Sequence, residues 1–262
     1  MKNCITAAIT TILLSSAVTT GCSAEGEGAL EVRIWGEEFI EEGIPADVFV
    51  DGWALSFTRF LVAIDEVGTD APEDTGRYVF DLTAGSGGEG QGVTSLTVPS
   101  GAQALTYQIA PGSAATGGNA APADATMMSA MGYSVFLDGT ATKGDTTIAF
   151  AWGFDTSTTY RDCEVVEEVP TDGAATTTIT VHADHIFYDD LDSPEPNVAF
   201  DLIAASDADM DGTVTPQELL ARDISAEARY QVGSRDVSNL WDFMAVMSQT
   251  VGHIDGEGEC KT

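Results

Sequence analysis

Ala54-Leu55-Ser56-Phe57-Thr58-Arg59-Phe60-Leu61-Val62-Ala63-Ile64 is the stretch that decides the fold class. It is rich in aromatic, β-branched and threonine residues, a composition that suits a pleated, half-buried strand. Outward from it, Leu30-Glu31-Val32-Arg33-Ile34-Trp35 alternates apolar and polar residues with the period of two that a strand presents. Further strand-like segments recur at 77–82, 93–98, 105–109, 133–142, 145–152 and 176–188, separated by glycine, proline and asparagine turns. That rhythm predicts a mainly β protein. An antiparallel β-sandwich is expected over 30–192, followed after Pro194 and Pro196 by a small α-helical region over 193–262. The glycine-rich run 85–90 fits a dinucleotide fingerprint formally, but it leads into a strand rather than a helix and reads as a loop. The small-residue stretch 117–125 reads the same way. Leu240, Met244, Met247 and Val251 have the spacing of a packed face on a final helix. Met127, Met128 and Met131 read as core fillers rather than thioether ligands for copper.

Composition narrows the function classes. Ten basic residues stand against 42 acidic ones, a net charge of −32, which repels nucleic acid and anionic lipid and attracts divalent cations. A hydrophobic content of 44% still supplies a core, so the chain is not a disordered acidic tail. It contains no Gly-x-Ser-x-Gly elbow, no His-Glu-x-x-His helix and no phosphate loop entering a helix, so the expectation is a protein that is not an enzyme.

Lys2 precedes an apolar, threonine-rich stretch over 5–18 that ends at Gly21-Cys22, the pattern of a secretory signal. The run falls short of the roughly 20 residues needed to span a bilayer. Gly21-Cys22 resembles the bacterial lipoprotein processing site, with Thr19 standing where that family usually has leucine. The resemblance implies a signal segment over 1–22, acylation of Cys22 as the mature N-terminus, a short tether over 23–29 and anchoring to a bacterial membrane through the lipid. The protein would then sit in the periplasm or on the cell surface. A cut after Ala24 instead yields a soluble secreted protein. With Cys4 lost in the signal and Cys22 lipidated, Cys163 and Cys260 remain, and an oxidising compartment favours a disulfide between them over two free thiols.

Asp207-Ala208-Asp209-Met210-Asp211-Gly212-Thr213-Val214-Thr215-Pro216-Gln217-Glu218 places oxygen ligands, a turn glycine and a terminal glutamate at the spacing of a calcium loop. A hard cation takes about six to eight oxygens, and alternate residues of a tight loop aim carboxylates inward while the glycine permits the bend. Three aspartates that close would repel one another without a cation. The segment resembles the twelve-residue loop of the EF-hand family: Asp207, Asp209 and Asp211 at the first, third and fifth places, Gly212 at the sixth, Glu218 at the twelfth. That resemblance implies calcium held also by the Thr213 carbonyl, through Thr215 and by both oxygens of Glu218, with helices on either side. Thr215 to Glu218 reads as a capping box with Pro216 at the first helical position, and 198–205 as the incoming helix.

The chain's three histidines form a second constellation: His182 and His185 within Val181-His182-Ala183-Asp184-His185, and His253. On a strand His182 and Asp184 face one way and His185 the other, so they converge only where a bulge or strand end intervenes. If His253 joins them, His182, Asp184, His185 and His253 are suited to copper, zinc or iron. The alternative is histidines bonded to carboxylates. Taken whole, the chain resembles secreted bacterial lipoproteins of no assigned activity. The expectation is a calcium-binding, membrane-anchored lipoprotein acting as a structural or binding module, with a periplasmic transition-metal protein as the alternative. Its protein or small-molecule partner has no sequence signal.

Overall fold

Strand β1 (Glu27–Trp35) buries Leu30, Val32 and Ile34, whereas strand β2 (Ala54–Gly68) buries every residue from Phe60 to Ile64. Alternate side chains leave opposite faces of a strand, so β1 is covered on one face and the centre of β2 on both. Phe60, Val62 and Ile64 enter the main hydrophobic cluster. Leu61 and Ala63 enter a smaller one with Val79, Met128 and Phe136. The computed structural model describes residues 26–69 and 72–262. The expected signal segment, Cys22 and the first residues of the tether lie outside the described residues.

The remaining elements are, in chain order, α1 (Glu37–Glu41), β3 (Pro72–Asp74), β4 (Tyr78–Asp81), β5 (Gln91–Pro99), β6 (Ala104–Ile109), α2 (Pro122–Met131), β7 (Val135–Lys143), β8 (Thr146–Phe154), β9 (Thr158–Glu164) and β10 (Ala174–Val181). After a 3-10 turn at Asp184–Phe187 come α3 (Asp201–Ala204), β11 (Thr213–Val214), α4 (Pro216–Ala221), α5 (Leu240–Met247) and β12 (Gly252–Ile254). The fold is mainly β and forms two sheets. One has the order β12-β10-β1-β5; the other follows β11-β8-β7-β2-β6-β9, with β3 and β4 also paired to β2. The main cluster draws on both sheets, through Leu30, Ile34 and Ile179 and through Leu105, Leu137 and Trp152. Val214, Leu219, Leu240 and Phe243 of the C-terminal segment belong to it as well.

Four expectations are corrected. Pairing is not wholly antiparallel: β1 runs parallel to β10, and β11 parallel to β8. Each pair joins segments far apart in sequence, where no hairpin dictates direction. The strand expected over 176–188 stops at Val181, and the chain turns through Asp184–Phe187. The segment 117–125 is a loop only in its first half. Pro122 opens α2 at a position where a missing N–H costs nothing, and Gly132 ends it at φ 69°, a left-handed cap that suits glycine. The C-terminal region is less helical than expected, with helices of four, six and eight residues, and α5 stops before Val251. Beside that region Asp189 is buried, accepting from the Asn197 backbone N–H at 2.9 Å and its amide at 3.0 Å. Among the described residues no helix is long and apolar enough to cross a membrane.

Candidate metal centres

The acidic loop begins where α3 ends after one turn. Asp207 Oδ1 accepts from the Asp211 N–H at 3.1 Å and its Oδ2 from the Gly212 N–H at 3.0 Å, while Asp211 Oδ1 accepts from the Thr213 N–H at 2.7 Å. These bonds fold the loop tightly, with Met210 at φ 61° and Gly212 at φ 80°. Asp207, Asp209 and Asp211 each offer a carboxylate oxygen within 4.8 Å of the others. Thr213 and Val214 then form β11, paired in parallel with Ala149 and Phe150 of β8, and the Gly212 carbonyl accepts from the Ala149 N–H at 2.8 Å. Val214 is fully buried and its carbonyl accepts from Trp152 Nε1 at 2.9 Å. Thr215 and Glu218 form the expected capping box, and Glu218 Oε1 also accepts from the Ala208 N–H at 2.8 Å. Backbone and side-chain bonds from Thr215, together with the bond from Ala208, hold the Glu218 carboxyl below its ordinary range. The loop is therefore closed across its ends, and the Thr215 hydroxyl is engaged by Glu218. Such an oxygen-only set suits a hard cation.

The second group forms where three segments meet. His182 follows β10 directly, with its N–H donating to the Val251 carbonyl at 2.9 Å. His185 lies in the 3-10 turn, and His253 on β12, opposite Thr180 of β10. The strand end at Val181 removes the geometric objection, because beyond it side chains no longer alternate. Ring centroids are 4.5 Å apart for His182 and His253, 5.1 Å for His185 and His253, and 5.3 Å for His182 and His185. Two triads have ligand atoms mutually within 4.8 Å, His182–Asp184–His185 and His182–His253–Glu257, and His182 is common to both. Asp184 is less free than the sequence suggested, since its Oδ2 accepts from the Tyr188 hydroxyl at 2.9 Å. Glu257 carried no sequence signal. It arrives because the chain doubles back after β12, with Ile254 and Gly258 exchanging both backbone bonds. A cleft of about 370 Å³ opens beside the cluster, lined by Tyr160, His185, Tyr188, Thr250, His253 and Glu257.

Burial, and then the positive charge that His253 and His182 would carry, push the His185 imidazole down to about 3. Burial and His182 lower His253 as well. His185 is therefore neutral at pH 7, whereas in the unfolded chain it titrates near about 6.5. Below that pH the unfolded state binds a proton that the folded state refuses, so stability is lost as pH falls from 6.5 toward 3. Chelator-treated protein is expected to melt at a lower temperature at pH 5 than at pH 7.5. The difference should shrink in His185→Gln, as read by circular dichroism melts at the two pH values.

Cys163 of β9 and Cys260 of the tail form the expected disulfide. Met128 packs in the smaller cluster as a core filler would, with Met127 partly buried against it, whereas Met131 is 59% exposed and is not a core filler. No family model, curated protein or solved structure matches this chain.

Proposed function

We propose that this chain is a calcium-loaded, extracytoplasmic lipoprotein, a structural or binding module in which the ion held by the Asp207–Glu218 loop fixes the C-terminal region onto a β-sandwich. The observation that carries this reading is the placement of the three converging aspartates. The loop they close continues directly into β11, which is hydrogen-bonded to β8 and to Trp152. An ion there organises the loop and, through β11, the α3 and α4 turns that flank it.

Three further points support it. The net charge of −32 disfavours the compact state through self-repulsion, and a divalent cation offsets part of that. Calcium loops of this kind extend to affinities of about 10⁻⁴–10⁻³ M, weak enough to suit the calcium-rich space outside a cell, where the site would be filled constitutively. Anchoring rests on the resemblance of Gly21-Cys22 to a lipoprotein processing site, and a soluble secreted form follows if the cut is after Ala24.

Thermal melting of the mature protein tests this. At a free calcium level about 100 times the dissociation constant, an ion bound only by the folded state stabilises it by about 2.7 kcal/mol. A melting temperature that rises with calcium in the native protein, and not in Asp207→Ala, supports the reading. A curve indifferent to calcium in both contradicts it.

A further inference from the structure

We propose that His182, His185, His253 and Glu257 form a second metal centre, independent of the acidic loop, for a divalent transition-metal ion of the zinc and copper class. Each imidazole leaves a nitrogen unengaged toward the cluster. His185 Nδ1 donates to the Thr250 carbonyl at 2.8 Å, which fixes the tautomer and leaves Nε2 with its lone pair. His182 Nε2 donates to the Gly256 carbonyl at 3.3 Å, leaving Nδ1, which lies 3.9 Å from both Glu257 Oε1 and Glu37 Oε2. Backbone carbonyls that hold the far nitrogen of an imidazole are the usual outer partners of metal-ligating histidines.

His253 supplies the independent observation. It is 9% exposed, and its Nδ1 is buried with no hydrogen-bond partner. The neighbouring Asp184 Oδ1 is buried and unpartnered too. An orphaned buried polar atom costs about 1–3 kcal/mol, and two in one cluster call for a shared partner. A cation ligated by His253 supplies the partner that its Nδ1 lacks, and Asp184 lies in the other triad that shares His182. Among the described residues, the only ion-pair contacts of Glu37 and Glu257 are these two, to His182, so no lysine or arginine already neutralises them.

The donor set selects the ion class. Imidazole nitrogen with one carboxylate suits zinc and copper, whereas calcium and magnesium favour oxygen alone. His182, common to both triads, is the hub. His253 and Glu257 complete one triad, and His185 belongs to the other, reached from the turn. Glu257 is 86% exposed in its side chain and lies on the side of the cleft, so the centre is reachable from solvent.

The test is titration of mature protein with zinc chloride. The protein is first stripped with chelator, desalted and supplied with excess calcium so that the acidic loop is engaged. Binding is followed by calorimetry, and cobalt(II) substitution reports ligation through its visible bands. Native protein and Asp207→Ala are expected to bind one zinc with equal affinity and to give the intense bands of a nitrogen-ligated tetrahedral centre. His253→Ala should weaken zinc at least about 100-fold, since even outer-shell changes cost 10–100-fold. Glu257→Gln, exposed and so harmless to folding, should weaken it at least about 10-fold. Should His253→Ala fail to fold, the Glu257 variant and the cobalt spectrum decide alone. Absence of zinc uptake, or uptake that survives both substitutions and disappears in Asp207→Ala, overturns the proposal without touching the calcium reading.

Discussion

Replacing Trp152 by alanine is expected to destabilise the protein by about 3–5 kcal/mol. Trp152 on β8 is fully buried, stacks on Phe150 with ring centroids 4.6 Å apart, and meets Phe187 at 6.4 Å. Its truncation opens a cavity at the junction of the larger sheet with the turn that carries His185. It also strands the Val214 carbonyl, which has Trp152 Nε1 as its side-chain donor. The consequence goes beyond a lower melting temperature, which should fall by about 10 °C for a chain of this size. Because Val214 lies within the acidic loop, after its three aspartates, calcium affinity should fall as well. In Trp152→Phe, which keeps most of the packing and loses the hydrogen bond, the stability loss should be smaller while the calcium effect persists. Denaturant unfolding with and without calcium separates the two contributions.

Removing the disulfide with Cys163→Ala and Cys260→Ala together is expected to cost about 2–5 kcal/mol. The cysteines lie 97 residues apart in sequence, so the bond restrains a long loop in the unfolded chain. In the folded state the tail remains attached by other means: Arg161 and Lys261 exchange both backbone bonds at 2.8 Å, and the Asp255 carboxylate accepts from the Thr178 N–H at 2.8 Å. His253 is held by β12 pairing with β10, upstream of the disulfide. The variant should therefore remain folded at room temperature and keep its calcium dependence, with its loss appearing as a lower denaturation midpoint and a steeper slope, because the unlinked unfolded chain exposes more surface. An unchanged slope would contradict the restraint of the unfolded chain as the source of the effect.

The parts of this fold that could be read from the sequence are those whose signal is local. The alternation of 30–35 and the dense apolar run of 54–64 are strands because pleating imposes a period of two or burial on both faces, and both became β1 and β2. The tight acidic turn and its capping box were legible, since the three aspartates, the glycine and the cap lie within twelve consecutive positions. Strand β9 was not, because Thr158, Tyr160 and Cys163 are its buried residues and a register shift opposite Leu105 and Tyr107 breaks the period. Helix α2 buries Met128 alone, leaving its small residues without an apolar stripe to read. The histidine cluster was half legible. His182, Asp184 and His185 were identifiable as ligand types, but their convergence depends on β10 ending at Val181 and on β12 bringing His253 alongside. Both are tertiary facts. Glu257 looked like any other carboxylate in an acid-rich chain, and only the backbone reversal between Ile254 and Gly258 places it beside His182.

Elemental analysis by mass spectrometry, on mature protein purified without chelator or affinity metal, tests the central claim most directly. The account predicts one calcium per chain in the native protein and none in Asp207→Ala, with His185→Ala retaining its calcium. Native protein that carries no calcium, or Asp207→Ala that retains it in full, would contradict it.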